Sequence, residues 1–316
     1  MKPLKIVFMG TPEFAVPMLD ALLGSTHTVV GVVTAPDKPG GRGMQLMQSE
    51  VKKRALEKGL HILQPEKLRN ENFLTELKSL NADLFVVVAF RMLPEVVWNM
   101  PPLGTINLHA SLLPQYRGAA PINWAIINGE TETGVTTFFI QHEIDTGKII
   151  YSAKTPIRPD ETVGELYQEL MQLGARVLRQ TIDAIAEGNY PQTPQDHITD
   201  IKHAPKIFKD DCKIDWSKSV DGVYNFIRGL SPYPAAFTQL NGKTLKVFKA
   251  EKHITDAPKP AGTFETDGTT YLRFYAANGY LSLTDLQLEG KKRMGIAEFL
   301  RGYKVSENNF PPPEGA

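Results

Sequence analysis

Short apolar runs alternate with amphipathic stretches of helical period through the first two thirds of the chain. This alternation predicts an α/β domain with a parallel-rich sheet. The predicted strands are residues 4–9, 28–34, 83–89, 105–109, 134–140 and 148–153. The run at 83–89 is the most hydrophobic, so we expect it at the centre of the sheet. Thr162 is predicted to open a long helix to about Glu187, because apolar residues recur along one side of it.

The first strand is followed by Gly10 and then by a predicted helix start. Thr11 is a typical N-cap residue, Pro12 suits the first helical position, and Glu13 suits the positively polarised first turn. The stretch lacks the GxGxxG dinucleotide fingerprint. The helix start therefore offers only a weak indication of anion binding.

Residues 35–48 join the second strand to a helix that begins near Ser49, and they are longer than such connections usually are. They are predicted to form a loop with glycines at positions 40, 41 and 43 and two basic residues, Lys38 and Arg42. An arginine fork can bind a phosphate or a base edge. The loop is therefore either a nucleic-acid contact or a solvated, disordered connection.

The last third of the chain has a different pattern. Residues 190–205 are polar and proline-bearing, which predicts a linker between domains at 1–189 and 206–316. Beyond a helix at 220–228, short alternating runs predict strands at 237–240, 244–250, 262–264, 271–274 and 280–288. Asn241-Gly242 is a strong hairpin signal. This pattern predicts a small, OB-like β-barrel.

Composition narrows the class of protein. The 35 Lys and Arg residues balance the 35 Asp and Glu residues, so the chain has no global polyanion-binding signature. From Lys206 onwards the balance is 16 basic to 13 acidic, which places the positive excess in the C-terminal part. A single cysteine, Cys212, fits a reducing compartment. No apolar run approaches the roughly 18 residues of a membrane helix, so we expect a soluble cytoplasmic protein.

The stretch 105–121 carries the strongest candidate chemistry. Asn107 and His109 lie two positions apart on a predicted strand, so their side chains share one face near its carboxyl end, where α/β sheets bind ligands. Asp145 follows another apolar run. A lone strand histidine is more often structural, and Asn107 and Asp145 could equally be a cap and a turn residue.

The full string changes that balance. N-x-H-x-S-L-L-P-x-Y-R-G, followed by D-T-G, resembles the signature of the folate-dependent formyltransferases. Over both parts, the chain resembles the branch of that family that formylates methionyl-tRNA. The resemblance implies a Rossmann-like catalytic domain with Asn107, His109 and Asp145 as the catalytic trio. It further implies a folate-binding turn (Ser111, Leu112, Leu113 and Pro114) and a tRNA-contacting insertion at 35–48 that carries Lys38 and Arg42.

The implied reaction moves the formyl group of 10-formyltetrahydrofolate to the amino group of methionyl-initiator tRNA. Asn107 and protonated His109 would stabilise a tetrahedral oxyanion, and Asp145 would favour the charged form of His109. The reaction needs no metal, and we expect a monomer. The chain departs from the family after the central strand, where Phe90-Arg91-Met92-Leu93-Pro94 is one residue shorter than the common Y-G-x-x-L-P.

Three other functions fit parts of the pattern. A formyltetrahydrofolate hydrolase would share the trio but would not need a basic insertion and a second domain. An amino-sugar-nucleotide formyltransferase can share both domains, although the Arg42 loop and the Lys291-Lys292-Arg293 cluster favour tRNA. A non-catalytic folate- or RNA-binding module would not need the intact trio.

Overall fold

The computed structural model describes residues 2–40, 45–195 and 200–304. The described residues form two compact units that do not follow chain order. The first comprises segments within 1–121, 132–155 and 167–203, and the second comprises segments within 122–131, 156–166 and 204–316. The domain limits 1–189, 190–205 and 206–316 stay a prediction.

Strands and helices are interspersed along the chain up to residue 187, as predicted for an α/β domain. The strands are β1 (Lys5–Gly10), β2 (Thr28–Val33), β3 (Lys38–Gly40), β4 (Gln45–Met47), β5 (Ile62–Leu63), β6 (Leu84–Val88), β7 (Thr105–His109), β8 (Arg117–Gly118), β9 (Glu132–Phe139) and β10 (Ile149–Pro156). The helices are α1 (Val16–Leu23), α2 (Glu50–Glu57), α3 (Glu71–Ser79), α4 (Glu95–Trp98), α5 (Pro121–Ile127) and α6 (Val163–Glu187). A 3-10 turn, Glu13–Ala15, precedes α1.

The main sheet of the first unit has the order β10-β9-β7-β6-β1-β2-β5. The pairs β2–β5, β1–β2, β1–β6 and β6–β7 are parallel, and β7–β9 is antiparallel. Every residue of β6 is buried, so the prediction of a central strand at 83–89 is confirmed. The parallel-rich, Rossmann-like α/β architecture is confirmed as well, and strand order reverses between β1 and β6, where such sheets bind ligands.

Helix starts were predicted with mixed success. Ser49 caps α2 by accepting a hydrogen bond from the backbone N–H of Lys52, and Thr162 and Glu165 form a reciprocal capping box at the start of α6. The prediction of Thr11 as a cap is wrong. The chain makes the 3-10 turn first, and the Tyr167 hydroxyl accepts the N–H of Phe14 at 2.9 Å.

Within the stretch 35–48, predicted as a loop, residues 38–40 and 45–47 form a two-stranded ribbon. Strands β3 and β4 pair antiparallel, with Lys38 opposite Met47 and Gly40 opposite Gln45. The ribbon pairs the polar backbone groups of β3 and β4, which an open loop would leave to solvent. Lys38 is exposed on β3, whereas Arg42 lies outside the described residues.

The second unit contains the predicted antiparallel sheet. The remaining elements among the described residues are β11 (His203–Ala204), a 3-10 turn (Asp210–Cys212), α7 (Val220–Leu230), β12 (Ala236–Leu240), β13 (Lys243–Ile254), β14 (Phe264–Thr266), β15 (Leu272–Ala276), β16 (Gly279–Leu288), β17 (Met294–Gly295) and α8 (Ile296–Gly302). The sheet order is β12-β13-β16-β15-β14, and β17 pairs with β16. The small C-terminal β unit is confirmed, although α8 was not predicted.

The Asn241-Gly242 hairpin is confirmed in detail. Leu240 pairs with Lys243, so Asn241 and Gly242 form a two-residue connection between β12 and β13. Both have positive φ, 50° and 73°, as a type I′ turn requires. Beneath the sheet, Trp216 stacks on Phe274 with ring centroids 4.9 Å apart.

Cys212 is the one cysteine of the sequence, and it is buried in the core of the second unit. Burial raises the pKa of its thiol, which keeps it in the neutral form. No helix in the described part of the chain is long and apolar enough to cross a membrane.

Candidate active site

His109 and Asp145 meet at the carboxyl end of β7. His109 is the last residue of that strand and is buried, and Asp145 lies in the connection between β9 and β10. Nδ1 of His109 lies 3.8 Å from Oδ2 of Asp145. The structure therefore brings together two members of the predicted trio that are far apart in the sequence.

The other ring nitrogen of His109 defines the protonation pattern. Nε2 lies 2.8 Å from the backbone carbonyl oxygen of Tyr116. A carbonyl can only accept, so Nε2 carries a proton, and Nδ1 is the nitrogen that gains or loses one. A protonated Nδ1 faces a carboxylate, whereas an unprotonated Nδ1 would direct its lone pair at the same negative charge. Nδ1 is therefore the ring nitrogen that faces Asp145 and is not bonded to the backbone.

Asn107 lies two residues before His109 on β7, beside Val87 of β6 and Phe138 of β9. The alternation of a strand places its side chain on the same face as that of His109. Its side chain is half-buried and has no hydrogen-bond partner among residues 2–40, 45–195 and 200–304. An amide donor that is partly shielded from water and not used by the protein can serve a ligand.

Asp145 is held in an unusual conformation. Its φ is 56°, in the left-handed region that non-glycine residues rarely occupy. The backbone N–H of Gly118 donates to its Oδ2 at 3.0 Å, and the Gln195 side-chain amide donates to its backbone carbonyl at 2.8 Å. The carboxylate and the backbone are thus fixed by different partners.

Gly147 of the D-T-G string has a steric role. A Cβ at this position would lie 1.6 Å from the backbone oxygen of Phe139. Any other residue would push the connection away from β9 and move Asp145 with it. The glycine is therefore required by the close approach of two backbone segments.

The predicted folate turn, 111–114, is built around a buried serine. The Ser111 hydroxyl donates to the carbonyl of Gln115 at 2.7 Å. Thr136 of β9 donates its hydroxyl to the carbonyl of Ser111 and accepts the N–H of Leu113. The Ser111 side chain is therefore used inside the turn. Leu112 and Pro114 are half-buried and remain partly accessible.

The shortened segment after β6 folds back on the first unit. Arg91 donates to the backbone carbonyls of Pro65 and Glu66, and burial lowers the pKa of its guanidinium. Met92 next to it is 73% exposed. The segment thus presents an apolar side chain, not a charge, beyond the end of the central strand.

Sequence reasoning missed two residues at this site. Gln195 donates to the carbonyls of both Asp145 and Gly147 at 2.8 Å, and Arg117 donates to the Gln195 Oε1 at 2.6 Å through Nη2. Gln195 falls in the stretch predicted as a linker. A glutamine in a polar, proline-bearing stretch carries no periodic signal, so only the tertiary contacts reveal it.

The basic cluster predicted in the second unit is only partly available. Arg293 forms an ion pair with Asp285, which raises its pKa, and its guanidinium lies 4.1 Å from the centre of the Phe248 ring. Lys291 is exposed, and the side chain of Lys292 is 82% exposed and 3.8 Å from Glu298. Lys291 and Lys292 are therefore accessible to a binding partner, whereas Arg293 is already paired.

A cavity of about 370 Å³ lies within the second unit and is not lined by any residue of the predicted trio. Three of the polar residues that line it, Asp160, Tyr224 and Arg228, are hydrogen-bonded within the unit. Burial, followed by the hydrogen bond that Tyr224 donates to Asp160, raises the pKa of the Tyr224 phenol to about 12. Arg228 donates to the carbonyl of Glu161 at 3.1 Å.

Two family models cover both units. The Formyl transferase model matches residues 4–182, and the model of the Formyl transferase, C-terminal domain matches residues 206–304. These matches agree with a Rossmann-like sheet that carries a His–Asp pair at a strand end and with the small β unit that follows. The chain belongs to the formyl transferase family, as the resemblance in the sequence predicted.

Within that family, the chain is similar to proteins named methionyl-tRNA formyltransferase. The protein of that name from Parabacteroides distasonis is 55% identical over 311 residues, which cover 95% of this chain and 96% of the relative. Its counterpart from Flavobacterium johnsoniae is 52% identical over 315 residues, which cover 97% of this chain and 98% of the relative.

Solved structures resemble the chain at lower identity. An N-formyltransferase from Helicobacter canadensis, in complex with folinic acid and dTDP-3-aminofucose, has a TM-score of 0.64 and 21% identity, and the match covers 92% of this chain and 100% of that one. This likeness supports the fold alone.

Proposed function

We propose that this protein transfers the formyl group of 10-formyltetrahydrofolate to the amino group of methionyl-initiator tRNA, for translation initiation. The observation that carries the proposal is the 55% identity to a methionyl-tRNA formyltransferase across nearly the whole chain. The His109–Asp145 pair at the carboxyl end of β7 supports it, because formyl transfer needs a proton-handling group beside an oxyanion stabiliser.

The first unit has surfaces that suit a folate. The exposed Met92 and the half-buried Leu112 and Pro114 are apolar groups of the kind that line cofactor sites. Because the Ser111 hydroxyl is bonded within its turn, we assign that residue a role in holding the turn in shape. The folate contacts then come from the backbone and apolar side chains of 112–114.

Three side chains perform the chemistry in this proposal. The Asn107 amide and the protonated Nδ1 of His109 donate to the oxygen that becomes negative when an amine attacks the formyl carbon. Each such donor is worth about 3 kcal/mol of transition-state stabilisation. Asp145 holds His109 in its charged form and accepts a proton from the attacking amine, directly or through water. His109 then protonates the departing folate nitrogen.

The tRNA is bound by basic groups outside this trio. Lys38 on the ribbon formed by β3 and β4, together with Arg42, engages the acceptor end. Lys291 and Lys292 of the second unit neutralise phosphates further along. Lys291 and Lys292 are exposed and lie outside the folded core, as phosphate contacts must. We further propose that the protein acts as a monomer in the cytoplasm.

The decisive experiment offers the purified protein 10-formyltetrahydrofolate with methionyl-initiator tRNA and scores formylmethionine after mild hydrolysis of the tRNA ester. An amino-sugar nucleotide and water serve as parallel acceptors, so that the sugar-transferase and hydrolase alternatives have their own readouts. His109→Ala is the matched inactive control. Formylation of the sugar at a higher kcat/KM than the tRNA would overturn the proposal.

A further inference from the structure

We propose that Gln195 is a positioning residue for Asp145, acting through the backbone of the D-T-G turn and held in turn by Arg117. The inference rests on the proposed function, since it assigns a part in the same reaction. Gln195 touches neither His109 nor the Asp145 carboxylate in the described contacts. Its effect on catalysis must therefore pass through the position of Asp145.

Both the nitrogen and the oxygen of the Gln195 side-chain amide have hydrogen-bond partners. Its Nε2 donates to the carbonyl oxygens of Asp145 and Gly147, at 2.8 Å in both cases. Its Oε1 accepts from Nε and Nη2 of Arg117, at 3.2 and 2.6 Å. A guanidinium can only donate, so Arg117 selects the oxygen of the amide and leaves both N–H groups for the two carbonyls.

The two carbonyls bracket a strained backbone. Asp145 has a φ of 56°, and Gly147 lies against the backbone of Phe139 with no room for a Cβ. A left-handed non-glycine residue persists only where its surroundings enforce it. The hydrogen bonds of Gln195 to residues 145 and 147 supply that enforcement through the backbone, while the Gly118 N–H holds the carboxylate.

Arg117 connects Gln195 to the rest of the site. Its neighbour Tyr116 supplies the carbonyl that fixes Nε2 of His109, and its other neighbour, Gly118, supplies the N–H that fixes Oδ2 of Asp145. A shift of Arg117 would therefore disturb the partners of both side chains at once. The contacts run from Arg117 to Gln195, from Gln195 to Asp145, and back from Asp145 to Gly118, and in this proposal they set the distance between Nδ1 of His109 and the carboxylate.

The test is Gln195→Glu, which keeps the shape and the acceptor for Arg117 but replaces two donors with a negative oxygen that faces two carbonyls. We expect kcat with methionyl-tRNA to fall tenfold or more while KM for tRNA and folate changes less than twofold. A carboxylate that has moved away stabilises the imidazolium less. The descending, alkaline arm of the kcat–pH profile should therefore move to lower pH by about 0.5 unit or more.

The matched control is Gln115→Glu. Gln115 binds the same polypeptide segment, at Asp200 and Lys202, but makes no contact with Asp145. It should retain kcat within twofold and the parent pH profile. An NMR titration of the His109 ring supplies a readout that does not need turnover, and its midpoint should fall in Gln195→Glu and stay in place in Gln115→Glu.

The outcomes are separable. If the parent protein fails to formylate methionyl-tRNA, the proposed function fails, and the NMR titration still decides the role of Gln195. If Gln195→Glu lowers the melting temperature but keeps kcat, the pH profile and the His109 titration, Gln195 is only structural and the inference is overturned. Should Gln195→Glu not fold, Gln195→Met, which is neutral and lacks the two donors, is judged by the same criteria.

Discussion

Nδ1 of His109 lies 3.8 Å from Oδ2 of Asp145, whereas Nε2 of the same ring is only 2.8 Å from the carbonyl of Tyr116. The first distance is too long for a hydrogen bond and the second is ideal for one. One nitrogen is thus committed to the fold, and the other retains freedom to exchange a proton. Catalytic hydrogen bonds commonly tighten when substrate binds, and a small movement would close the His109–Asp145 gap.

The trio gives the first prediction. Asn107→Ala, His109→Ala and Asp145→Ala should each lower kcat by ~10²-fold or more, because each removes a group that acts on transition-state charge. Combined losses should be strongly non-additive, since the three side chains act as a unit. Single-turnover formylation of methionyl-tRNA measures this directly. His61→Ala, which removes an exposed histidine paired with Glu76, is the control and should leave the rate unchanged.

Arg42 gives the second prediction. Arg42→Ala should lower kcat/KM with methionyl-tRNA. The loss should correspond to about 1–3 kcal/mol of transition-state stabilisation, the range for one good bidentate contact. Binding of 10-formyltetrahydrofolate, followed by calorimetry, should be unaffected, and so should turnover with a small amine. Parent-rate formylation of tRNA by both Arg42→Ala and a shortened ribbon would remove the proposed role of this segment.

The third prediction concerns salt dependence. The double change Lys291→Gln, Lys292→Gln should weaken tRNA binding and lower the slope of log Kd against log salt by about 2, one for each phosphate that is no longer neutralised. Arg293 is left unchanged in this variant because it is already paired with Asp285. A matched pair on the first unit, Lys67→Gln, Lys78→Gln, tests whether removal of any two charges has the same effect. Equal slopes for the two double variants would contradict specific docking.

Glu265 gives a pH prediction for the stability of the second unit. Hydrogen bonds from Tyr275, Lys259 and Arg273 lower the pKa of its carboxyl from 4.5 to about 2. A carboxyl with a depressed folded-state pKa contributes stability that is present above pH 4.5 and is lost as the pH falls towards 2. Because the side chain is a quarter exposed, we expect a screened contribution of about 1–2 kcal/mol at pH 7.

The variant Glu265→Gln tests this pH dependence of stability. The difference in free energy of unfolding between parent and variant, from urea titrations, should be constant from pH 7 to about 5 and should shrink as the pH falls towards 2. A difference that is independent of pH over that interval would mean that the loss comes from packing and not from charge. Glu289→Gln, which removes a carboxylate just beyond the end of β16, is measured in parallel as the control.

The sequence predicted most of the sheet, and the shared strand of Asn107 and His109, because both leave local traces. Buried strands such as β6 appear as apolar runs, and Asn107 and His109 share a strand whose period is two. The ribbon formed by β3 and β4 left no such trace, because its strands are three residues long and β3 contains Pro39 and Gly40. Propensity disfavours strands there, and only pairing stabilises them.

The missed features are tertiary in origin. The N–H of Phe14 is capped by Tyr167, so Thr11 is not needed as the cap that its position suggests. Gln195 contacts Asp145 across 50 residues. No local pattern encodes the partner of a lone polar side chain. The sequence thus predicts a candidate site, while contacts such as the one between Gln195 and Asp145 become visible only in the fold.

The second unit is built from segments that are not consecutive in the sequence, and this has a consequence for biosynthesis. Residues 122–131 and 156–166 belong to that unit, yet the ribosome makes them long before residues 204–304. At roughly 5–20 residues per second, the early segments wait on the order of ten seconds for their partners. Ile122 and Ile126, buried in the folded protein, therefore emerge without their final cover, and the second unit can complete its fold only after residues 204–304 have been made.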